Sequence, residues 1–225
     1  MKDILSDAKK AFNSGKLKKA RLILETLLAT SDAEIGNKEI RIRASLLLTD
    51  IDMAEGSYSK SLESCWNLLT QKPPDIFLSE IYRKIGTIFR RKGETRQAEE
   101  YFLKSRDVSL TDEQRIRSFI SLSGLYRIQS RFNKAISHGK EAFDLALAVQ
   151  GQDNKYEELI AESLINLGLV KYNQGEFEAA LPFFYQARDI YEQQEDCEAI
   201  SRIKIMVANV LSRQGKYNEA LDLYK

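Results

Sequence analysis

The sequence predicts an all-α protein made by repeating one helical hairpin, and three observations carry that reading. A small turn residue is followed five positions later by a small helical residue at six places: Gly15/Ala20, Gly56/Ser61, Gly93/Ala98, Ser130/Ala135, Gly175/Ala180 and Gly215/Ala220. Apolar residues on both sides of each pair recur at intervals of three and four, the spacing of one helix face. Prolines number only three and glycines eleven, so little of the 225-residue chain is left for irregular structure.

The fifth unit shows the logic most fully. Leu164, Leu167, Gly168 and Tyr172 form one apolar stripe before Gly175, and Phe177, Ala180, Leu181, Phe184 and Ala187 form a second after it. The glycine gives the backbone the freedom that a short inter-helix turn needs. Small residues at 168 and 180 let two helix axes approach while aromatic rings fill the space around them. The same small position, seven before the turn, holds Ala8, Thr49, Gly86, Ser123, Gly168 and Ala208. Two after the turn stand Leu17, Tyr58, Phe132, Phe177 and Tyr217, with Thr95 the exception. Four beyond the second small residue stand Leu24, Cys65, Phe102, Gly139, Phe184 and Tyr224.

This small–aromatic spacing across a helix–turn–helix unit resembles the tetratricopeptide repeat family, and the resemblance covers essentially the whole chain. It implies a right-handed superhelical solenoid of about six hairpins, with approximate repeats at 1–31, 32–72, 73–110, 111–152, 153–195 and 196–225 in a single array. The turns at 15, 56, 93, 130, 175 and 215 lie 41, 37, 37, 45 and 40 residues apart. The common repeat is about 34 residues, so these units are elongated. The extra length falls between hairpins, as at Lys72-Pro73-Pro74-Asp75 and Gln150-Gly151-Gln152-Asp153-Asn154. Ser31-Asp32-Ala33-Glu34 and Thr111-Asp112-Glu113-Gln114 have capping-box spacing and mark the starts of the second and fourth hairpins.

Three positions depart from the family pattern. Asp52 and Lys171 stand where an inward aromatic or leucine is usual, and a slightly rotated helix with Met53 and Tyr172 taking over the packing would accommodate them. Gly139 replaces a bulky residue, which calls for close approach by a neighbouring helix or a weaker helix there. The sixth unit has about two turns of second helix. Its Leu221, Leu223 and Tyr224 lack a successor, so we expect the solenoid to continue in a longer protein, with self-association through this end as a further possibility.

Composition narrows the function. Lys plus Arg total 34 against 33 Asp plus Glu, so any charge preference must be local. Two widely spaced cysteines, Cys65 and Cys197, fit a reducing compartment. The start, MKDILSDAKKAF, lacks the apolar run of a secretory signal, and no segment approaches the roughly 20 apolar residues of a membrane helix. These features lead us to expect a soluble, cytoplasmic protein. The single histidine, His138, has no nucleophile beside it in the pattern and reads as a packed or solvent-facing residue. Glycine-rich phosphate loops, H-E-x-x-H and C-x-x-C are missing from the sequence. We expect no catalysis, no cofactor, no metal and no small-molecule substrate. Trp66, next to Cys65 on a second helix, is expected to pack under the following repeat.

In tetratricopeptide proteins the first helix of each hairpin lines the concave face, so the resemblance points to a groove there. The exposed stripe of the third repeat reads Arg83, Thr87, Arg90 and Arg91, and that of the fourth Arg117, Ile120, Gly124, Arg127 and Ile128. The fifth reads Glu162, Ile165, Leu169, Tyr172 and Asn173, and the sixth Arg202, Ile205, Asn209, Ser212 and Arg213. Candidate partner-binding residues are therefore Arg83, Arg90, Arg117, Ile120, Arg127, Ile165, Leu169, Tyr172, Arg202 and Arg213. Arginine forks suit carboxylates and the aliphatic residues suit apolar anchors, which points to a protein or peptide with acidic and apolar residues. The same arginines would also serve simply to balance neighbouring acidic helices. The Lys/Asn/Lys/Arg clamp of chaperone-tail binders is not matched, since Leu5, Leu46 and Ile120 stand in its places.

Three functions stay open: an interaction scaffold that holds a peptide in its groove, a sensory or regulatory arm controlling an output domain, and nucleic-acid binding. The last would use Arg83, Lys84, Arg90, Arg91, Lys92 and Arg96, a cluster interrupted by Glu94, Glu99 and Glu100.

Overall fold

A computed structural model describes residues 2–30, 38–151, 153 and 155–224. Among the described residues there are twelve α-helices and no strand. The capping box expected at residues 31–34 lies outside them, as do residues 152 and 154 of the loop after the fourth hairpin. The chain divides into two compact units, residues 1–98 and 99–225.

The first unit holds α1 (Lys2–Asn13), α2 (Leu17–Ala29), α3 (Lys38–Ala54), α4 (Tyr58–Thr70), a 3₁₀ turn (Asp75–Phe77) and α5 (Leu78–Arg91), and ends within α6 (Thr95–Asp107). Its small positions close the hairpins as expected: Ala8 and Ala20 are fully buried beside Leu24, and Thr49 and Ser61 beside Cys65. Asp52 does not rotate away. Its carboxylate is 1% exposed and sits 2.6 Å from the Arg21 guanidinium and 3.3 Å from the Lys60 ammonium. A buried carboxylate is tolerated when paired, so this chain has placed an ion pair where the pattern has an apolar contact.

The second unit continues from α6 through α7 (Asp112–Ile128), α8 (Phe132–Ala148), α9 (Lys155–Asn173), α10 (Phe177–Gln193), α11 (Cys197–Arg213) and α12 (Tyr217–Tyr224). Thr111 caps α7, its hydroxyl accepting from the Gln114 amide at 3.2 Å, while the Gln114 side chain accepts from the Leu110 amide at 2.9 Å. One core runs from Ile116 through Leu159, Ile160 and Phe184 to Val207, Leu211 and Ala220. A Cβ on Gly139 would lie 2.7 Å from Leu167 Cδ2, so this glycine marks close helix approach. Lys171, the other departure, pairs with Glu176 at 2.6 Å and leaves Tyr172 to pack edge-on against Phe177.

The six hairpin turns share one hydrogen-bond pattern, in which the amide just after the turn residue reaches back five positions. Lys16 donates to Ala11, Ser57 to Asp52, Glu94 to Phe89, Arg131 to Tyr126, Glu176 to Lys171 and Lys216 to Leu211, all within 2.8–3.0 Å. This is a Schellman closure, which requires a left-handed residue. Glycine supplies it five times, and Ser130 does so at φ 57°. A seventh closure joins α10 to α11, where Asp196 donates to Tyr191 at 3.0 Å and Glu195 stands at φ 56°. Without a glycine, that turn carried no signal in the spacing.

Candidate functional site

Helices α7, α9 and α11 run in the same direction. Arg117 reaches Glu162 at 3.7 Å, and three residues further along α7 the Ile120 carbonyl accepts from Asn166 Nδ2 at 2.8 Å. The order of contacts is the same on both helices, which defines a parallel pair. Further along, Arg213 of α11 donates from Nε to the Tyr172 hydroxyl of α9 at 3.4 Å. The amphipathic stripe of each helix thus faces a common cleft of about 350 Å³ within the second unit.

Ile120, Ile165, Leu169 and Met206 give this cleft an apolar middle, and Glu158, Glu162, Asp196 and Arg202 surround the end nearer the helix starts. Of the residues expected on the groove, Ile120, Ile165, Leu169 and Arg202 come together here. Arg117 lies beside the cleft, held by Glu113 at 3.1 Å and by Glu162. Tyr172, Arg213 and Arg127 lie toward the helix ends, outside the cleft itself. Arg83 and Arg90 are half-buried on α5 in the first unit.

Six lining residues escaped the sequence reading: Glu158, Asn166, Tyr191, Asp196, Ala199 and Met206. Tyr191 comes from a second helix, and Asp196 and Ala199 come from the glycine-free turn and the helix start behind it. On α11 the stripe is displaced by one position. Ala199, Arg202 and Met206 face the cleft, whereas Ile205 is 49% exposed on another side. The periodicity of three and four was visible there, but its phase was ambiguous between adjacent apolar residues.

Burial, then the charges of Glu162 and Glu158, push the Tyr191 hydroxyl upward, so it remains a neutral donor at the cleft floor. Burial would lower Arg117, but Glu162, Glu113 and Glu158 outweigh it and raise the guanidinium. Arg127 differs: burial alone lowers it, and its Nε is enclosed without a hydrogen-bond partner among the described residues.

His138 is stacked between Phe119 and Tyr126, with ring centres 5.8 and 5.5 Å away, and has a packing role. Trp66 is 37% exposed, less enclosed than expected. The basic cluster on α5 is partly consumed internally, because Lys84 is buried against Asp50 and Lys92 pairs with Glu94 at 2.6 Å. Among the described residues no group of histidine, cysteine or acidic side chains could hold a metal, and no helix is long and apolar enough to cross a membrane.

The tetratricopeptide repeat profile matches residues 75–148 and 159–225, and the chain belongs to that family. Its all-α repeat architecture is that of a protein-interaction scaffold, a class whose fold is not itself catalytic. No curated protein matches the chain. Among solved structures it is similar to BtubC (BKLC) from P. vanneervenii, with TM-score 0.64 and 16% identity over 99% of this chain and 87% of that one. A Rap protein complexed with Competence and Sporulation Factor aligns with TM-score 0.67 and 14% identity, covering 98% of this chain and 73% of that one. The apo quorum sensor NprR from B. thuringiensis gives TM-score 0.73 and 16% identity over 91% of this chain and 58% of its own.

Proposed function

We propose that the chain is an interaction scaffold whose α7–α9–α11 cleft receives a peptide segment of a partner protein or a free peptide. The observation that carries this reading is the cleft itself. Aliphatic side chains from three successive first helices converge in it, with polar groups at its edge that fix orientation. A largely preformed surface of this kind draws affinity from apolar anchors and register from charge. The internal pairing of Lys84 and Lys92 removes support from the nucleic-acid reading. A sensory use of the same cleft, with occupancy controlling an output elsewhere, is the second reading. Its support is the likeness to a Rap protein solved with its factor and to a quorum sensor.

Selection of a randomised hexapeptide library against the 225-residue chain tests the assignment. Leu169→Asp and Ile165→Asp should each weaken selected peptides at least tenfold, and Lys140→Asp on the exposed side of α8 should not. Selected peptides that are indifferent to both groove changes overturn it.

A further inference from the structure

The cleft has a direction, and that direction follows from an elementary rule of helices. Acidic residues favour a helix start and basic residues its end, because each complements the helix dipole. In the second unit α7 begins with Asp112 and Glu113, α9 with Glu157 and Glu158, and α11 with Asp196 and Glu198. Arg127, Lys171 and Arg213 stand in their last turns. In isolation this is only good capping. Parallel packing of the three helices collects the acidic side chains at one end of the groove and the basic ones at the other, a side-chain field that the helix dipoles themselves partly oppose.

Which of these charges remain available decides what the field can hold. At the acidic end Arg117 and Lys155 are already engaged by Glu113, and Arg117 also by Glu162. The exposed Glu158 carboxylate makes no ion pair among the described residues, although Arg202 across the cleft tempers the surplus. At the other end Lys171 is spent on Glu176, whereas Arg127 forms no ion pair among the described residues and its Nε lacks a hydrogen-bond partner there. Arg127 lies seven residues beyond Ile120 on the same stripe, about 10 Å along the helix. Among the described residues Arg213 donates to the Tyr172 hydroxyl and to no carboxylate.

We propose that this cleft selects a bipolar peptide segment, with a cationic group held by Glu158 beside the Arg117-paired Glu162, an apolar side chain among Ile165, Leu169 and Met206, and a carboxylate held by Arg127 and Arg213. From the level of Glu162 to that of Arg127 is about ten residues of helix, roughly 15 Å. Extended chain covers that distance in about five residues. The requirement revises the acidic-and-apolar partner expected from the arginines alone, since Arg117, beside the apolar pocket, faces carboxylates of its own. The geometry sets opposite charges at the two ends of the ligand, not its chain direction.

This inference rests on the groove being the binding site, and the test separates the two claims. Four fluorescein-labelled hexapeptides share a Leu-Leu centre and carry Lys and Asp, two Asp, two Lys or two Ser at their ends. Their anisotropy is titrated with the full chain at low salt. The Lys/Asp probe should bind at least tenfold more tightly than the other three. Arg127→Glu should move the preference toward the Lys/Lys probe, and Glu158→Lys with Glu162→Lys toward the Asp/Asp probe. Equal binding of the Ser/Ser and Lys/Asp probes, abolished by Leu169→Asp, overturns the charge polarity and leaves the groove assignment standing. Tightest binding of a like-charged probe also overturns the polarity. Binding by none of the four overturns the polarity and counts against the groove assignment. The wild-type ranking is decisive alone if a variant fails to fold.

Discussion

Arg21 Nη2 lies 2.6 Å from Asp52 Oδ1, joining α2 to α3 through a carboxylate that is almost wholly buried. Glu55 takes the same guanidinium nitrogen at 2.6 Å, and the Lys60 ammonium lies 3.3 Å from the same Asp52 oxygen. Removing one member of such a pair strands the other. Arg21→Met should lower unfolding free energy by about 1–3 kcal/mol, less than a fully enclosed pair because Lys60 remains. Arg21→Met with Asp52→Leu should recover most of that loss. A double-mutant cycle in urea measures the coupling, and additive effects would show that the pair does not act as one.

Two buried helical glycines should answer differently to alanine. At Gly168 an added Cβ would lie 2.7 Å from Phe184 Cε1 and 3.1 Å from Phe183 Cβ, and the Phe184 ring is fully buried with no room to yield. Gly168→Ala should destabilise by about 1–3 kcal/mol. At Gly139 the shortest contact, 2.7 Å, is to the flexible tip of Leu167, with Leu167 Cγ and Ser123 Oγ each at 3.2 Å, distances that need a shift of only a few tenths of an ångström. The gain in helix propensity of about 1 kcal/mol should then leave Gly139→Ala near neutral in the same melts.

Ser130 and Glu195 hold left-handed backbone at φ 57° and 56° without being glycine. Left-handed backbone costs a residue with a Cβ about 1–2 kcal/mol, part of which glycine returns through its looser unfolded chain. Ser130→Gly and Glu195→Gly should each raise stability by about 0.5–1 kcal/mol. Thermal melts of the two variants check this, and a fall in midpoint would contradict it.

Acid should loosen the start of α7. Burial alone would raise the Glu113 carboxyl, but the Arg117 hydrogen bond, its charge and that of Lys155 outweigh it and hold the group below its ordinary value of 4.5. A carboxyl depressed in the folded state stabilises it above the unfolded value and loses that contribution as pH falls through the folded one. Wild-type stability should therefore fall more steeply below about pH 4.5 than that of Glu113→Gln. Parallel acid limbs in urea titrations would remove Glu113 from the account.

The two cysteines should react on different clocks. Burial, opposed only in part by the Lys84 charge and the Thr49 hydroxyl, pushes Cys65 up to about 12, whereas Cys197 is exposed at the start of α11. Iodoacetamide at pH 8 should label Cys197 within minutes and Cys65 only as the first unit unfolds, as read by mass spectrometry. Equal labelling rates would mean that the first unit opens locally around α4.

The sequence made the hairpins legible because each obeys rules that act within one helix and one turn. The buried small residues at Ala8, Thr49, Ser123 and Ala208 all fall where the glycine phase puts them. The site was legible in part. Ile120, Ile165 and Leu169 stand on unambiguous stripes, whereas Met206 lies next to Ile205 and the period alone could not choose between them. Asp52 violates the hydrophobic pattern, and its explanation stands 31 residues away on another helix. Asp196 and Ala199 follow a turn whose left-handed residue is a glutamate, so no glycine announced it.

That turn has a mechanical consequence. Packed segments can part without unfolding only if the chain between them has slack. From Lys155 to Tyr224 there is almost none, since only residues 174–176, 194–196 and 214–216 lie between helices and each junction is bolted by a bond reaching back five residues. A load applied to any of these four helices is passed to the next without play. The last four helices should carry it as one stiff bar, where a string of loosely joined hairpins would give way hinge by hinge.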